Sequence, residues 1–153
     1  MSLRDKRGLE GLPLKLLITV MILALSIQPL YASLSYLGYG QELGRAVQEA
    51  EAIKEAAVSA YLGGPGNIRK VSISMNDGPG SFSIRLGGAE GEGTSKTIDI
   101  LYYGNLAATV TLEGQSLSII SMEGQSLIVE GKQELRLTCC QRAMGDIVLV
   151  ERI

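Results

Sequence analysis

The chain has 153 residues, which is room for one domain and an appended segment but not for two full domains. Lys and Arg number 14 against 16 Asp and Glu, and no basic block lies in the C-terminal two thirds, so nucleic acid is not an expected partner. Histidine is absent, which removes the commonest general base and the commonest metal ligand.

An uncharged apolar run occupies the N-terminal part of the chain, from Leu16 to Leu37, and is preceded by Arg4, Lys6 and Arg7. At about 1.5 Å per helical residue, this run is long enough to cross a hydrocarbon layer of about 30 Å. Because positive charges favour the cytoplasmic side, we expect a single pass through the cytoplasmic membrane, with the N-terminus inside and the rest of the chain outside. Membrane lipid is therefore an expected partner.

Two residues modify this apolar segment. Lys15 stands at its start, where its long side chain can reach the lipid headgroups, and Pro29 interrupts the run and predicts a bend. The same segment is compatible with a cleavable secretory signal peptide, which has a charged part over 1–15, an apolar part over 16–27 and a cut after Ala32. An uncleaved membrane anchor is a further alternative.

Residues 41–62 form a second helical segment, in which the apolar residues fall on one face. Steps of three and four residues place on this face Leu43, Val47, Ala50, Ile53, Ala57 and Tyr61. The glycine-rich run over 63–66 ends the helix, so the two segments predict one long helix that ends at Leu62. The small residues on the face suit close packing. They can pack copies of the chain together in a filament or dock the helix on the chain's own β-rich part, and both roles stay open.

The residues before the apolar run have the pattern of a known class of leader. The motif KRGLE at 6–10, followed by an apolar stretch, resembles the class III signal peptide of archaeal type IV pilins. The resemblance implies that a prepilin-type signal peptidase recognises Lys6 and Arg7 and cuts the chain between Gly8 and Leu9.

The resemblance also implies an organisation and a function. The leader would be residues 1–8 and the mature N-terminal helix 9–62, with its membrane span over about 16–37 and its amphipathic part over 41–62. Such a chain is a structural subunit that assembles through this helix into a surface filament or pseudopilus. Its partners would be copies of itself or related pilin-like subunits.

The β-rich head, residues 67–153, shows a hydrophobic period of two, which is typical of strands. The predicted strands cover 68–75, 81–86, 96–103, 106–112, 116–121, 126–131, 134–140 and 146–153. Turn residues such as Gly104-Asn105 separate them, and residues 87–95 predict a flexible loop. Eight short strands predict an antiparallel β-sandwich or partly closed β-barrel, and the whole chain an α+β fold.

Two neighbouring segments of the head have similar sequences. EGQSLSIISM at 113–122 is followed by EGQSLIVEGK at 123–132. Two copies are too few for a solenoid, which needs at least three repeats. The similarity of the two segments therefore predicts a simple meander, in which consecutive strands use the same turn chemistry.

Three segments resemble parts of functional sites. Ser116 lies in GQSLS, but the second glycine of a nucleophile elbow and a histidine are both missing. Glu90 and Glu92, and likewise Asn76-Asp77, carry oxygen ligands without the spacing of a calcium loop. The sequence therefore predicts no catalytic, cofactor or metal site.

Cys139 and Cys140 are adjacent in a predicted strand, whose successive side chains face opposite sides. This arrangement is compatible with one thiol in the core and one outside, with a vicinal disulfide, or with a metal or redox role.

Three functions stay open from the sequence. The first is the pilin-like structural protein. The second is a single-pass anchor whose extracytoplasmic β-domain binds a cell-envelope component or another ligand without polymerising. The third is an exported enzyme from which the apolar segment has been removed, and the absence of histidine disfavours it.

Overall fold

The structure is a computed structural model that describes residues 7–78, 80–88, 93–112, 117–142 and 145–153, with the side chains of 7–13, 93 and 94 outside that description. The chain divides into an N-terminal unit, Met1–Gly40, and a C-terminal unit, Gln41–Ile153. Part of the predicted loop over 87–95 lies outside the described residues.

One helix, α1, runs from Arg7 to Leu62 and contains both the apolar and the amphipathic segment. The prediction of one long N-terminal helix is therefore confirmed. Its end follows from local chemistry, because the N–H of Gly63 still bonds the Ser59 carbonyl, whereas Gly64 bonds Tyr61 one residue closer. Gly64 adopts a φ of 81°, which is the left-handed conformation that ends many helices.

Eight strands follow the helix, as the sequence predicts. They are β1 (Ile68–Ser74), β2 (Phe82–Leu86), β3 (Thr97–Tyr102), β4 (Asn105–Thr111), β5 (Ile119–Ser121), β6 (Leu127–Val129), β7 (Lys132–Arg142) and β8 (Gly145–Arg152). A short 3₁₀ turn, Gly93–Lys96, precedes β3.

The strands form two four-stranded sheets. Sheet A has the order β1-β7-β8-β5 and sheet B the order β4-β3-β2-β6. All pairs are antiparallel except β5 with β8. The fold is thus α+β with two mostly antiparallel sheets. The described strands leave two edges in each sheet and form no closed barrel.

The predicted meander of the repeated segments is wrong. β5 pairs with β8 in sheet A, whereas β6 pairs with β2 in sheet B, so the chain crosses between sheets at the turn around Gly124. All three residues of β5 are buried, while the middle residue of β6 is exposed. Similar sequences therefore do not give these two strands the same partner, because pairing follows the burial of each strand and the two strands differ in burial.

The β3–β4 hairpin turns one residue earlier than Gly104-Asn105. Its central residues are Tyr103 and Gly104, with φ of 50° and 76°, and Asn105 already belongs to β4. Positive φ at both central positions suits a two-residue hairpin, because this turn matches the twist of the strands.

A single buried cluster contains side chains from α1 and from both sheets. Its largest fully buried members include Ile53, Ile73, Ile84, Leu86, Ile98, Ile100, Leu117, Ile119, Leu135 and Leu137. The end of β2 approaches β5 closely at Gly87, where an added Cβ atom would lie 2.9 Å from the backbone nitrogen of Ser121. The core of the C-terminal unit is therefore shared by the helix and the two sheets.

Candidate functional site

The apolar segment of α1, defined as residues 14–40, is exposed on every side. Each side chain in this range is exposed, and the helix is long and apolar enough to cross a membrane, by length and composition. Lys15 lies near the start of this range and Pro29 lies within the helix, which continues past it. A helix that is apolar all round needs an apolar environment.

Three hydroxyl groups of this segment donate to backbone carbonyls of the preceding helical turn. Thr19 donates to the Lys15 carbonyl and Ser26 to the Ile22 carbonyl, both at 2.8 Å, and Ser35 donates to Ala32 at 2.8 Å. A hydroxyl without a partner is costly in hydrocarbon, so these three bonds suit a lipid environment.

The other half of α1 buries the predicted apolar face in the C-terminal unit. Ala50, Ile53 and Ala57 are 0% exposed, and Leu43 and Val47 are partly buried against the same core. Of the two roles left open by the sequence, docking on the chain's own β-rich part is the one seen. The sequence interpretation missed two further members of this face, Ala46 and Ala60. Ala46 lies four residues before Ala50, and Ala60 lies three residues after Ala57. This helical spacing could have placed both on the apolar face.

Side chains of α1 also bond to β1 and to Asn76, which lies two residues after the end of β1. Glu42 accepts from the Asn76 amide at 2.9 Å, and Glu49 accepts from the backbone N–H of Ser74 at 3.3 Å. Arg69 donates to the Ser59 hydroxyl at 3.0 Å. These contacts run in opposite order along the two elements, so α1 lies antiparallel to β1.

An ion pair joins two side chains on the surface of α1. Lys54 lies 3.1 Å from Glu51, one helical turn away. Pairs of this kind stabilise a helix by roughly 0.2–0.5 kcal/mol. Because both residues belong to α1, this pair stabilises the helix itself and does not link it to the sheets.

The predicted leader lies at the limit of the described chain. Lys6 is outside the described residues, whereas Arg7, Gly8 and Leu9 belong to the first turn of α1, with their side chains outside the description. Cleavage after Gly8 therefore stays a prediction.

The two cysteines differ in burial. Cys139 is buried and Cys140 is half-buried, and both are free thiols. Burial raises the pKa of the Cys139 thiol, and the nearby Asp146 and Cys140 raise it further. Cys139 is thus held in its unreactive protonated form. A vicinal disulfide stays a prediction, and the arrangement seen is one thiol in the core and one near the surface.

A polar row that the sequence interpretation missed crosses sheet B. An Arg85 nitrogen lies 2.6 Å from Asp99 Oδ2, and the Thr109 hydroxyl donates to Asp99 Oδ1 at 3.1 Å. These residues are opposite one another in β2, β3 and β4. Because Asp99 is only 8% exposed and both of its oxygens are bonded, the row joins three strands rather than presenting a reactive carboxylate.

Most of the other candidate residues lie outside the part of the chain that the structure describes. Ser116, Glu90 and Glu92 lie outside the described residues, and Asn76 is engaged with Glu42. Within the described part of the chain, no three Cys, Asp or Glu side chains lie close enough together to hold a metal ion.

Comparison of this chain with protein-family models, with curated proteins and with solved structures found no match.

Proposed function

We propose that this chain is a pilin-like structural protein. It is inserted in the cytoplasmic membrane, processed after Gly8, and assembles through the apolar segment of α1 into a surface filament or pseudopilus. In this proposal the two sheets form a β-sandwich head on the outer side of the membrane, and the chain passes through the membrane once.

The observation that carries the proposal is the difference in burial between the two parts of α1. One uninterrupted helix, Arg7–Leu62, has an apolar segment that is exposed on all sides and a second half that buries one face in the core of the C-terminal unit. The buried half keeps the helix attached to the head. The exposed half needs lipid or other helices around it, and a membrane-inserted subunit that later joins a filament has both.

The mature N-terminus tests the processing step. Intact-mass measurement on the protein purified from the membrane and filament fractions is expected to give a chain that starts at Leu9. A start at Ser33 would show that the apolar segment is removed and would contradict the proposal. A start at Met1 or Ser2 would favour an uncleaved anchor.

A matched pair of glycine variants sharpens this test. Gly8→Val is expected to block cleavage, because the peptidase needs the small residue before the cut. Gly11→Val makes the same change three residues later, beyond the proposed cut, and is expected to be processed normally. Equal processing of the two variants would rule out Gly8 as the cleavage position.

The burial of the small-residue face favours one competing function. Ala50, Ile53 and Ala57 have no surface left for a partner, so they cannot pack copies of the chain together, and the proposed helix-mediated assembly uses the exposed apolar segment. If that segment contacts lipid alone, the chain is a single-pass anchor for an extracytoplasmic β-domain that does not polymerise. Cross-linking through the apolar segment separates the two functions.

A further inference from the structure

The edge of sheet B that β4 forms, called the free edge below, differs from the other three sheet edges. β4 forms this edge and, within the described part of the chain, pairs with β3 only. From Asn105 to Leu112 the sequence NLAATVTL contains no charged residue, no proline and no glycine. A long uncharged edge strand is a template for another strand, because its outward N–H and C=O groups lack partners.

The β1 edge of sheet A is protected against such pairing. β1 carries exposed charges at Arg69 and Lys70, and α1 runs along it with side-chain bonds at Arg69 and Ser74. The N–H of Ser74 points away from the sheet, and the Glu49 carboxylate accepts its hydrogen bond, so this edge group has a partner. Charges and a covering helix are two devices that keep an edge from pairing with another chain.

The two remaining edges are short. β5 and β6 have three residues each, and the side chain of Arg152 donates to the backbone carbonyl of Ile128 in β6. Short edge strands pair poorly. β4, with seven residues, is thus the only edge among the described strands without one of these protections along its regular part.

Hydrogen bonding shows which groups of β4 point outward. Leu112 donates its N–H to the Lys96 carbonyl, in the same register as the β3–β4 pairs. Bonded and non-bonded pairs alternate along an antiparallel ladder. Ala108, Val110 and Leu112 therefore bond to β3, whereas the N–H and C=O groups of Thr109 and Thr111 face the free edge.

A bulge limits the usable part of this edge. The register shifts between Ile100 and Leu101, so that Ala107 has no opposite residue in β3. A bulge interrupts the regular ladder at its position. The regular part of β4 begins at Ala108, and the residues available for pairing are 108–112.

These residues are complementary to themselves. An antiparallel pair of two β4 strands centred on Val110 sets Thr109 opposite Thr111 of the other copy, and each such pair exchanges two backbone bonds. Val110 then meets Val110, and Ala108 meets Leu112. The apolar side chains lie on the core face and the exposed threonines on the other, so apolar residues meet apolar ones and hydroxyls meet hydroxyls.

Other registers give fewer bonded pairs within the regular part of β4. A centre on Thr109 pairs Thr111 with the bulged Ala107, and a centre on Thr111 pairs Thr109 with residue 113, beyond the strand. Only the centre on Val110 gives two bonded pairs within the regular part. An identical copy also brings no charge of like sign against this edge, whereas two β1 strands would bring Arg69 and Lys70 together.

We infer that β4 is an interface between copies of this chain, through which two heads join edge to edge by antiparallel pairing centred on Val110. The interface is separate from the helix-mediated assembly of the proposed function and does not depend on it.

Amide hydrogen exchange on the full chain in detergent micelles tests this interface, read residue by residue by NMR at several protein concentrations. The Val110 amide bonds to β3 and reports that sheet B is folded. The Thr109 and Thr111 amides are expected to exchange fast in dilute protein and to become protected as the concentration rises. Fast exchange of both at every concentration, with Val110 protected, would overturn the inference.

Two further outcomes would also overturn it. Protection that does not change with concentration would mean that the edge is covered from within one chain. Protection that needs the addition of a different protein would mean that another partner occupies the edge.

A matched pair of variants completes the test. Thr111→Lys places a charge on the free edge and is expected to abolish the concentration-dependent protection of the Thr109 amide. Ser72→Lys makes a similar change on the exposed part of β1, where Glu134 lies opposite, and is expected to leave that protection unchanged. Unchanged protection in Thr111→Lys would contradict the inference, even if helix-mediated assembly is intact.

Discussion

Cys139 and Cys140 are neighbours in the chain but have different surroundings. Cys139 points into the core of the C-terminal unit, whereas Cys140 lies on the other face of β7 and is partly exposed. We expect a maleimide reagent to label Cys140 in the folded full chain and to label Cys139 only after unfolding. Mass spectrometry of the labelled protein, with Cys140→Ser as the control, checks this order. Labelling of Cys139 at the rate of Cys140 would contradict it.

The raised pKa of Cys139 also predicts a pH dependence. Below the ordinary thiol pKa of about 8.5, the thiol is protonated in both the folded and the unfolded chain, so it adds no pH dependence. Above this pH the unfolded chain loses the proton while the folded chain keeps it, so the free energy of unfolding falls as pH rises. Cys139→Ala is expected to reduce this alkaline fall, as measured by denaturant unfolding at pH 8 and pH 10, and an unchanged fall would refute the assignment.

Gly87 and Gly64 both have positive φ but differ in the space around them. A Cβ atom at Gly87 would meet the backbone of Ser121 at 2.9 Å, whereas at Gly64 nothing lies within 4 Å. Gly64→Ala is expected to cost about 1–2 kcal/mol, from the left-handed backbone alone. Gly87→Ala is expected to cost more, because β2 and β5 must also move apart. Denaturant unfolding of both variants measures the difference, and equal costs would contradict the close approach.

The second half of α1 is a core element. Ile53 is fully buried between the helix and the sheets, whereas Glu55 is exposed on the other side of the same turn. Ile53→Ala is expected to lower the free energy of unfolding by about 2–5 kcal/mol. Glu55→Ala, the control, is expected to change it by less than about 0.5 kcal/mol. Unfolding of the full chain in detergent, followed by tyrosine fluorescence, measures both, and a small effect of Ile53→Ala would mean that this half of α1 is not docked.

The strands were predictable because the alternation of apolar and polar residues is a local signal. All eight predicted strands are present, and the face of α1 that contains Ile53 is buried as its helical spacing indicates. Strand partners were not predictable in the same way. β5 and β6 follow nearly identical sequences yet belong to different sheets, because pairing depends on how each strand is buried in the whole unit.

The candidate sites show the same difference between features that are local in sequence and contacts between distant residues. The apolar segment is continuous in sequence, so its long helix could be predicted directly, whereas cleavage after Gly8 stays a prediction. The bond from Ser74 to Glu49 and the row from Arg85 through Asp99 to Thr109 join residues that are far apart in the chain. Such contacts have no local periodicity, and only the folded register brings them together.

Among the described residues, two surfaces are our candidates for assembly contacts. The apolar segment of α1 is exposed on all sides, and the β4 edge of sheet B is uncharged and unprotected. The fully buried face of α1 is not a third surface, because it is occupied by the chain's own core. Contacts through the segment would act within the membrane, and contacts through β4 would act between heads.

In the proposed function, the apolar segment packs against copies of itself. Disulfide cross-linking in isolated membranes tests it most directly, with single cysteines placed in turn from Leu16 to Leu37 in a Cys139→Ala, Cys140→Ala background. Cross-linked dimers and higher oligomers are expected at positions that recur every three to four residues, since one face of a helix repeats at 3.6 residues. Cysteine at the exposed Glu55 gives the background level. Cross-linking at no position above this background would contradict the claim and leave a lipid-embedded anchor.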